Sequence, residues 1–214
     1  MVAVVCGVLL CGGVSFASTI TFDDVTIPPE NNNLLQIQNG YAGLNWDHLW
    51  FLRQDPALYT SGGVGMGAVS DSQMAVNEYW YPYATISAPV GQTFVLGSGS
   101  FMAAWPGESM YVNVTGFLNG GQVLSQTFLF TSTEHTFVDF SAFVAGGGPA
   151  VVDNVIFTTV DSAGNAYYTD ATGAHPIGGQ FVMDNLTVPE GGLTAAMLGM
   201  AIFQLALIRR KFQE

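Results

Sequence analysis

Apolar and polar residues alternate along the middle of the chain, in short segments bounded by glycine, asparagine, proline or serine. The clearest segment covers residues 110–118, where Val112 and Val114 alternate with Tyr111 and Asn113. A period of two places successive side chains on opposite faces of a β-strand, so each such segment predicts a half-buried strand. No part of the middle shows a convincing helical period. The pattern therefore predicts an all-β domain.

A hairpin is predicted where this segment meets a second alternating segment at residues 122–131. Asn119-Gly120-Gly121 separates them, and Asn-Gly suits a two-residue turn because both central residues need a positive φ. Residues 54–77 contain several glycines and predict a long loop. Further strands are predicted over residues 18–22, 94–105 (two strands or one bulged strand), 135–140, 151–160 and 180–188. About seven or eight short strands separated by turn residues are typical of a jelly-roll-like antiparallel β-sandwich.

The N-terminal end differs in composition from this middle part. Residues 2–14 are almost wholly apolar, and Ser15-Phe16-Ala17 follows as a small-x-small cleavage site. This layout predicts a secretory signal peptide over residues 1–17, although no lysine or arginine precedes the apolar run. A lipoprotein signal at Cys11 is the alternative. Both cysteines of the chain lie in this segment, so the exported domain would contain no disulfide.

The C-terminal end predicts a membrane tether. Residues 191–208 form an uncharged run, and Arg209, Arg210 and Lys211 follow at once. Eighteen residues of helix rise about 27 Å, close to the thickness of a bilayer's hydrocarbon core. We therefore expect a transmembrane helix at 191–208 with its cations on the cytoplasmic side.

The residues that flank this apolar run form a specific pattern: Val188, Pro189, Glu190, Arg209 and Arg210. Together, residues 188–214 resemble the PEP-CTERM sorting signal of bacteria that make exopolysaccharide. The resemblance implies that an exosortase, a membrane cysteine protease, recognises the Pro-Glu pair and that the arginines hold the helix in register. Gly191 stands where the motif usually has a second proline, which leaves cleavage itself open.

A second resemblance covers most of the predicted domain, residues 18–187. It rests on three segments: Thr21-Phe22-Asp23-Asp24-Val25, Gly40-Tyr41-Ala42-Gly43-Leu44-Asn45-Trp46, and Phe181-Val182-Met183-Asp184-Asn185-Leu186-Thr187-Val188. These segments resemble a recurring type of secreted jelly-roll domain, similar to galactose-binding-like and carbohydrate-binding modules. Membership in that class implies a fold, and it leaves the ligand open.

The negative net charge of the chain limits the kinds of molecule that it can bind. Sixteen acidic residues stand against four lysines and arginines, and three of those four cations belong to the C-terminal cluster. Such a field repels phosphate backbones and argues strongly against nucleic-acid binding. The same field suits divalent cations, and a plain acidic surface without an ion site is the alternative.

Two acidic positions predict a calcium site. The first and last strands of many jelly rolls are neighbours, which would bring Asp23 or Asp24 close to Asp184. Carboxylates joined by backbone carbonyls suit Ca²⁺, and the resemblance also implies a structural calcium near the chain ends. Neighbouring residues on a strand face opposite ways, so only one of the pair is expected to be a ligand, and Asp24 is preferred. The alternative is that these carboxylates cap turns or are solvated.

Aromatic residues supply the second candidate site. Exposed tryptophan and tyrosine rings stack on sugars because they combine an apolar face with a polar rim. Trp46 and Trp50 are expected in the core of the sandwich. The residues expected to form an exposed sugar-binding patch are Trp80, Tyr81, Tyr83 and Trp105.

Enzyme signatures are absent from the sequence, with no nucleophile elbow, zinc-protease motif, phosphate loop or dinucleotide fingerprint. The sequence thus predicts an exported, non-catalytic protein of the cell surface or extracellular matrix that binds polysaccharide. One alternative is a purely structural surface protein without a ligand. The other is a secreted glycan-active hydrolase, which needs two carboxylates about 5–10 Å apart.

Overall fold

The structure is a computed structural model that describes residues 17–28, 33–54, 63–78, 81–107, 109–144, 147–166 and 179–189. The predicted transmembrane helix, the cationic cluster and all but the last residue of the predicted signal peptide lie outside these ranges. Within them, no helix is long and apolar enough to cross a membrane.

The described residues form fourteen strands, and every strand pairing is antiparallel. The strands are β1 (Ala17–Ile20), β2 (Leu34–Gln36), β3 (Asn45–Asp47), β4 (Leu49–Arg53), β5 (Gln73–Asn77), β6 (Tyr83–Ser87), β7 (Phe94–Leu96), β8 (Ser98–Ala103), β9 (Ser109–Leu118), β10 (Gly121–Thr131), β11 (Thr136–Asp139), β12 (Ala150–Val152), β13 (Asn154–Val160) and β14 (Phe181–Pro189). A four-residue helix, α1 (Gly63–Met66), and two short 3₁₀ turns complete the elements. The prediction of an all-β antiparallel fold is confirmed.

Two larger sheets and one small sheet form the sandwich. The seven-stranded sheet has the order β11-β8-β14-β5-β4-β2, with β1 also paired to β14. The five-stranded sheet has the order β10-β9-β13-β6-β3, and β7 pairs with β12. Side chains from both larger sheets meet in one buried core, such as Phe101 and Met183 from the first and Val112 and Phe157 from the second. The antiparallel sandwich is therefore held together mainly by apolar packing between the sheets.

The predicted hairpin is confirmed by β9 and β10. Asn119 and Gly120 have φ values of 52° and 78°, as a two-residue hairpin turn requires. The predicted strand at 94–105 appears as β7 and β8. The predicted strand at 151–160 is divided at Asp153 into β12 and β13. The first predicted strand ends earlier, at Ile20, because Phe22 adopts a positive φ of 65°.

The prediction of a loop over residues 54–77 is wrong at its C-terminal end, where the structure has the strand β5. This strand, Gln73–Asn77, lies between β4 and β14 in the seven-stranded sheet, and all five of its residues are buried. Ala75 faces the main core, whereas Met74 and Val76 pack on the opposite face. A strand buried on both faces shows no polar alternation, so period two could not reveal it.

The seven-stranded sheet carries a second apolar cluster on its outer face. Trp50, Val76, Val182 and Met102 lie opposite one another across four neighbouring strands. The cluster consists of Leu52, Met74, Val76, Met102, Ala104 and Val182, with Trp50, Ala68 and Trp105 packed against it. We call this surface the covered face.

Candidate functional site

Asp184 lies on β14 and points to the covered face, where it is fully buried. Its Oδ2 accepts hydrogen bonds from the backbone N–H groups of Val69, at 2.6 Å, and Ser70, at 3.0 Å. Its Oδ1 accepts from the N–H of Asn185 at 2.7 Å. Burial raises the pKa of this carboxyl, and these hydrogen bonds offset part of the rise. Asp184 therefore fastens the chain at residues 69 and 70 against the sheet.

Asp23 binds the same chain segment a few residues further along. Its Oδ1 accepts from the backbone N–H groups of Ser72, at 3.1 Å, and Gln73, at 3.0 Å. The Ser70 hydroxyl lies 2.6 Å from Asp23 Oδ2 and 3.1 Å from Asp184 Oδ2, so it joins the two carboxylates. The predicted proximity of the first and last strands is confirmed, because β1 pairs with β14 along its whole length.

Asp24, the preferred metal ligand, has a different partner. Its Oδ1 accepts a hydrogen bond of 2.7 Å from the hydroxyl of Tyr41. Burial, followed by the hydrogen bond and the charge of Asp24, raises the pKa of Tyr41 far above its ordinary value. The Tyr41 ring packs edge-on against Phe51, with centroids 4.9 Å apart, at one end of the core. Asp24 thus anchors an aromatic cluster.

The four carboxylate oxygens of Asp23 and Asp184 all accept hydrogen bonds from N–H or O–H groups of the protein. Among the described residues, no three histidine, cysteine, aspartate or glutamate side chains are grouped so that they could hold a metal ion. Calcium binding stays a prediction. The observed geometry makes this junction, Asp23, Ser70 and Asp184, a hydrogen-bonded clamp, and we call it the acidic clamp.

A histidine contributes to the attachment of the same chain segment. His135 Nδ1 lies 3.3 Å from the Ser100 hydroxyl on β8, and His135 Nε2 lies 3.0 Å from the carbonyl oxygen of Met66. The Gln54 side chain also donates to the carbonyl oxygen of Gly65. Residues 63–72 are therefore held over the covered face by polar contacts at several points.

The aromatic candidate site lies on the opposite side of the sandwich. Tyr81 and Tyr83 are 40% and 39% exposed, and their ring centroids are 6.1 Å apart. The His48 ring stacks on Tyr81 with centroids 3.7 Å apart and meets the Tyr83 ring edge-on at 5.1 Å. His48 has a φ of 55° between β3 and β4, at the point where the chain passes from one sheet to the other. The local backbone therefore places this ring beside the two tyrosines.

Two carboxylates flank His48. Its Nδ1 lies 2.8 Å from Glu78 Oε2, and its Nε2 lies 3.6 Å from Asp47 Oδ2. The Glu78 backbone N–H also donates to the His48 carbonyl at 2.8 Å. Glu78 thus holds the imidazole through its Nδ1 edge, with its face stacked on Tyr81.

A row of polar side chains continues from Tyr83 across the five-stranded sheet. Tyr83 lies opposite Thr158, Thr158 opposite Asn113, and Asn113 opposite Thr127. The Asn113 amide donates to the Thr127 hydroxyl at 3.1 Å and accepts from Thr115 at 2.7 Å. Because neighbouring strands lie about 4.8 Å apart, the row is about 14 Å long.

A second row lies beside the first on the same surface. It runs across all five strands of the sheet through Asp47, Thr85, Ile156, Thr115 and Ser125. The residues between these positions along each strand, such as Val112, Val114 and Phe157, point into the core. We call this outer surface, with its two rows, the open face.

The structure brings together two of the four residues predicted for the aromatic patch, Tyr81 and Tyr83. Trp80 lies outside the described residues. Trp105 packs against the covered face, and its indole N–H donates to the Gln180 side chain at 2.9 Å. Trp46 lies in the main core as predicted, whereas Trp50 packs on the covered face.

Sequence reasoning missed the polar residues of the open face and the role of His48. The signal for the polar residues was available, because Asn113 and Thr115 are the outward positions of the alternating segment that predicted β9. His48 gave no such signal, because its contacts with Tyr81 and Glu78 depend on chain segments about thirty residues away.

An open groove with a volume of about 480 Å³ lies elsewhere, between β7 and β11. Phe137 lines it and is 71% exposed. Asp139 also lines the groove. Its Oδ1 accepts two hydrogen bonds from Ser141, one from the backbone N–H at 3.0 Å and one from the side-chain hydroxyl at 2.7 Å. Phe137 therefore provides an exposed aromatic ring outside the open face.

No protein-family model matches the chain, and no curated protein sequence matches it. Its fold is similar to that of a DUF4465 family protein from Bacteroides caccae, with a TM-score of 0.50 and 13% identity over 83% of this chain and 95% of that one. A family 11 carbohydrate-binding module from Clostridium thermocellum also matches, with a TM-score of 0.37 and 11% identity over 83% and 96%. An α-L-arabinofuranosidase matches with a TM-score of 0.41 and 16% identity over 83% of this chain and 27% of the enzyme. The first similarity supports the β-sandwich fold.

Proposed function

We propose that this chain is an exported, non-catalytic protein that binds polysaccharide on its open face. The observation that carries the proposal is the placement of Tyr81 and Tyr83, both partly exposed, at one end of a row of hydroxyl and amide side chains. Sugar rings present apolar faces that stack on aromatic rings and hydroxyl groups that exchange hydrogen bonds with polar side chains. The open face offers both kinds of contact on one surface.

The geometry of the polar row supports an extended ligand. Thr158, Asn113 and Thr127 lie on three neighbouring strands, so their positions are fixed by the ladder of the sheet and not by a mobile loop. Groups that are held in place before binding lose little conformational entropy when a ligand arrives. A row about 14 Å long is better matched to several linked sugar units than to one.

The non-catalytic part of the proposal rests on His48. Asp47 and Glu78 are the two carboxylates at the aromatic end of the open face, and the imidazole lies between them. A glycoside hydrolase places the scissile bond between its two carboxylates. Here the protein's own side chain fills that position, so we expect no release of reducing ends from any bound polysaccharide.

The export and sorting of the chain are proposed from its sequence. The apolar segment 1–17 directs the chain out of the cytoplasm, and residues 188–214 hold it in the membrane until an exosortase-type protease acts near Pro189 and Glu190. The mature domain is then released to the cell surface or the extracellular matrix of a bacterium. Cleavage is testable, because replacing Glu190 by alanine should leave the uncleaved chain in the membrane fraction.

The binding proposal is tested by affinity electrophoresis of the purified full-length chain. Gels would contain members of a panel of neutral, amino-sugar and acidic polysaccharides. We expect at least one polysaccharide to retard the chain, Tyr81→Ala to abolish most of the retardation, and Phe137→Ala to leave it unchanged. Phe137→Ala is a matched control, because it also removes an exposed ring. Equal mobility of the wild type in every gel would reject the proposal.

A further inference from the structure

The aromatic end of the open face carries two acidic groups beside His48, and none of the residues that the structure describes there is a lysine or an arginine. The side chain of Asp47 is 65% exposed, and Glu78 lies on the other side of His48. Among the described residues Arg53 is the only lysine or arginine, and it lies on β4 of the other sheet. Its guanidinium donates to the Asn33 side chain, with Nη2 2.5 Å from Oδ1.

This charge distribution disfavours acidic sugars on the open face. A carboxylate or sulfate on a glycan needs cationic side chains or clustered N–H donors, and neither is present in the rows described above. Like charges placed side by side at an interface repel each other, and solvent weakens this repulsion at an exposed carboxylate such as Asp47. A uronate or a sulfated sugar beside Asp47 would meet that repulsion.

A sugar with a free amino group carries a positive charge and would be attracted to the same carboxylate. Asp47 lies directly opposite Thr85, so Tyr83, two residues earlier on the same face, is its diagonal neighbour at about 7–8 Å. An ammonium group bound there can pair with the Asp47 carboxylate and also contact the electron-rich face of the Tyr83 ring. Both interactions are stronger for an ammonium group than for a hydroxyl, which can only donate a neutral-donor hydrogen bond to the carboxylate.

Resting on the proposed function, we infer that the open face selects glycans with free amino groups over neutral glycans, and both over glycans with carboxylate or sulfate groups. The ligand class is therefore a partly or fully deacetylated hexosamine polymer. The selectivity comes from the carboxylate of Asp47. The carboxylate of Glu78, on the other side of His48, adds to the negative potential at this end of the open face.

Three of the four probes in the test share one backbone. Hexamers of β-1,4-linked glucosamine, N-acetylglucosamine and glucose differ only at carbon 2, and an oligogalacturonate supplies the acidic case. Dissociation constants would be measured by titration calorimetry of the full-length chain at two salt concentrations. We expect the glucosamine hexamer to bind at least tenfold more tightly than the glucose hexamer, and no binding of the oligogalacturonate.

Two variants distinguish a specific contact of the amino group with Asp47 from a general attraction of a cationic sugar to an acidic protein. Asp47→Asn should reduce the ratio of glucosamine to glucose affinity at least fivefold. Glu134→Gln, which removes an exposed carboxylate from the connection after β10, at the edge of the sheet opposite to β3 and Asp47, should leave that ratio unchanged. Equal loss in both variants, or acidic binding as tight as amino-sugar binding, would overturn the inference while leaving polysaccharide binding intact. If no probe and no polysaccharide binds, the proposed function fails with it.

Discussion

The two sheets of this sandwich have outer faces of opposite character. On the seven-stranded sheet the row Trp50, Val76, Val182 and Met102 is apolar, and the chain at residues 63–72 is fastened over that side. On the five-stranded sheet the outer side chains are mostly threonine, serine and asparagine, with Tyr83 exposed at one end. One outer face is packed under the chain's own residues, and the other presents polar side chains and an exposed aromatic ring.

The difference also explains why the acidic residues have two roles. Asp184 and Asp23 face the covered side and hold a chain segment through its backbone N–H groups. Asp47 faces the open side, and its carboxylate is largely exposed. Asp184 and Asp23 therefore act as structural hydrogen-bond acceptors, whereas in the proposed function the solvated carboxylate of Asp47 selects the ligand.

The largest expected effect is the difference in unfolding free energy between a charge placed on the covered face and one placed on the open face. Val182→Asp would bury a carboxylate in the apolar cluster without a cationic partner, which should cost at least about 4 kcal/mol of unfolding free energy. Thr127→Asp on the open face should change that free energy by less than about 0.5 kcal/mol. Urea unfolding of both variants checks the contrast. Similar losses would show that the open face is also a packed surface.

Removing the acidic clamp should give the next largest effect. Asp184→Ala leaves the N–H groups of Val69 and Ser70 without their acceptor, which should cost about 1–3 kcal/mol. At about 2–4 °C per kcal/mol for a chain of this size, the midpoint of thermal unfolding should fall by about 2–12 °C. Glu134→Ala, an exposed carboxylate, provides the control and should leave the midpoint unchanged. An unaltered midpoint in Asp184→Ala would mean that the clamp contributes nothing to stability.

The pH dependence of stability sharpens the assignment of Asp184. Its pKa in the folded chain is raised above the ordinary value of 3.8, so the native state keeps a proton that the unfolded state has lost. Its contribution is fully present below that value and declines as pH rises through the folded pKa. The stability of the wild type relative to Asp184→Asn should therefore fall as pH rises above 3.8. A rise over this range, measured by urea unfolding, would contradict the raised pKa.

The smallest expected effect is that of calcium. A metal that binds only the folded chain raises the unfolding free energy by about 2.7 kcal/mol at a hundredfold excess over its dissociation constant. Calcium would have to displace the protein donors whose hydrogen bonds the clamp oxygens already accept, so the structure, unlike the sequence, leads us to expect equal melting midpoints in excess Ca²⁺ and in EDTA. A higher midpoint in Ca²⁺ that disappears in Asp184→Ala would instead place the predicted calcium site at the clamp.

The sequence predicted those parts of the fold that depend on local chemistry. The β9–β10 hairpin follows from its alternation and from Asn119-Gly120, which needs no distant contact to form. β5 was missed because a strand buried on both faces has lost the polar half of its pattern. The clamp was predicted only as a proximity of Asp23 and Asp184, since their donors lie in a segment that has no pattern of its own.

The central claim is that ligand binds the open face and leaves the covered face untouched. The most direct test is amide chemical-shift mapping of the isotope-labelled 22.7 kDa chain with a retained oligosaccharide. We predict shifts concentrated at Tyr83, Thr158 and Asn113, with none at Val76 on the covered face. Shifts confined to the covered face, or to the groove beside Phe137, would contradict the claim.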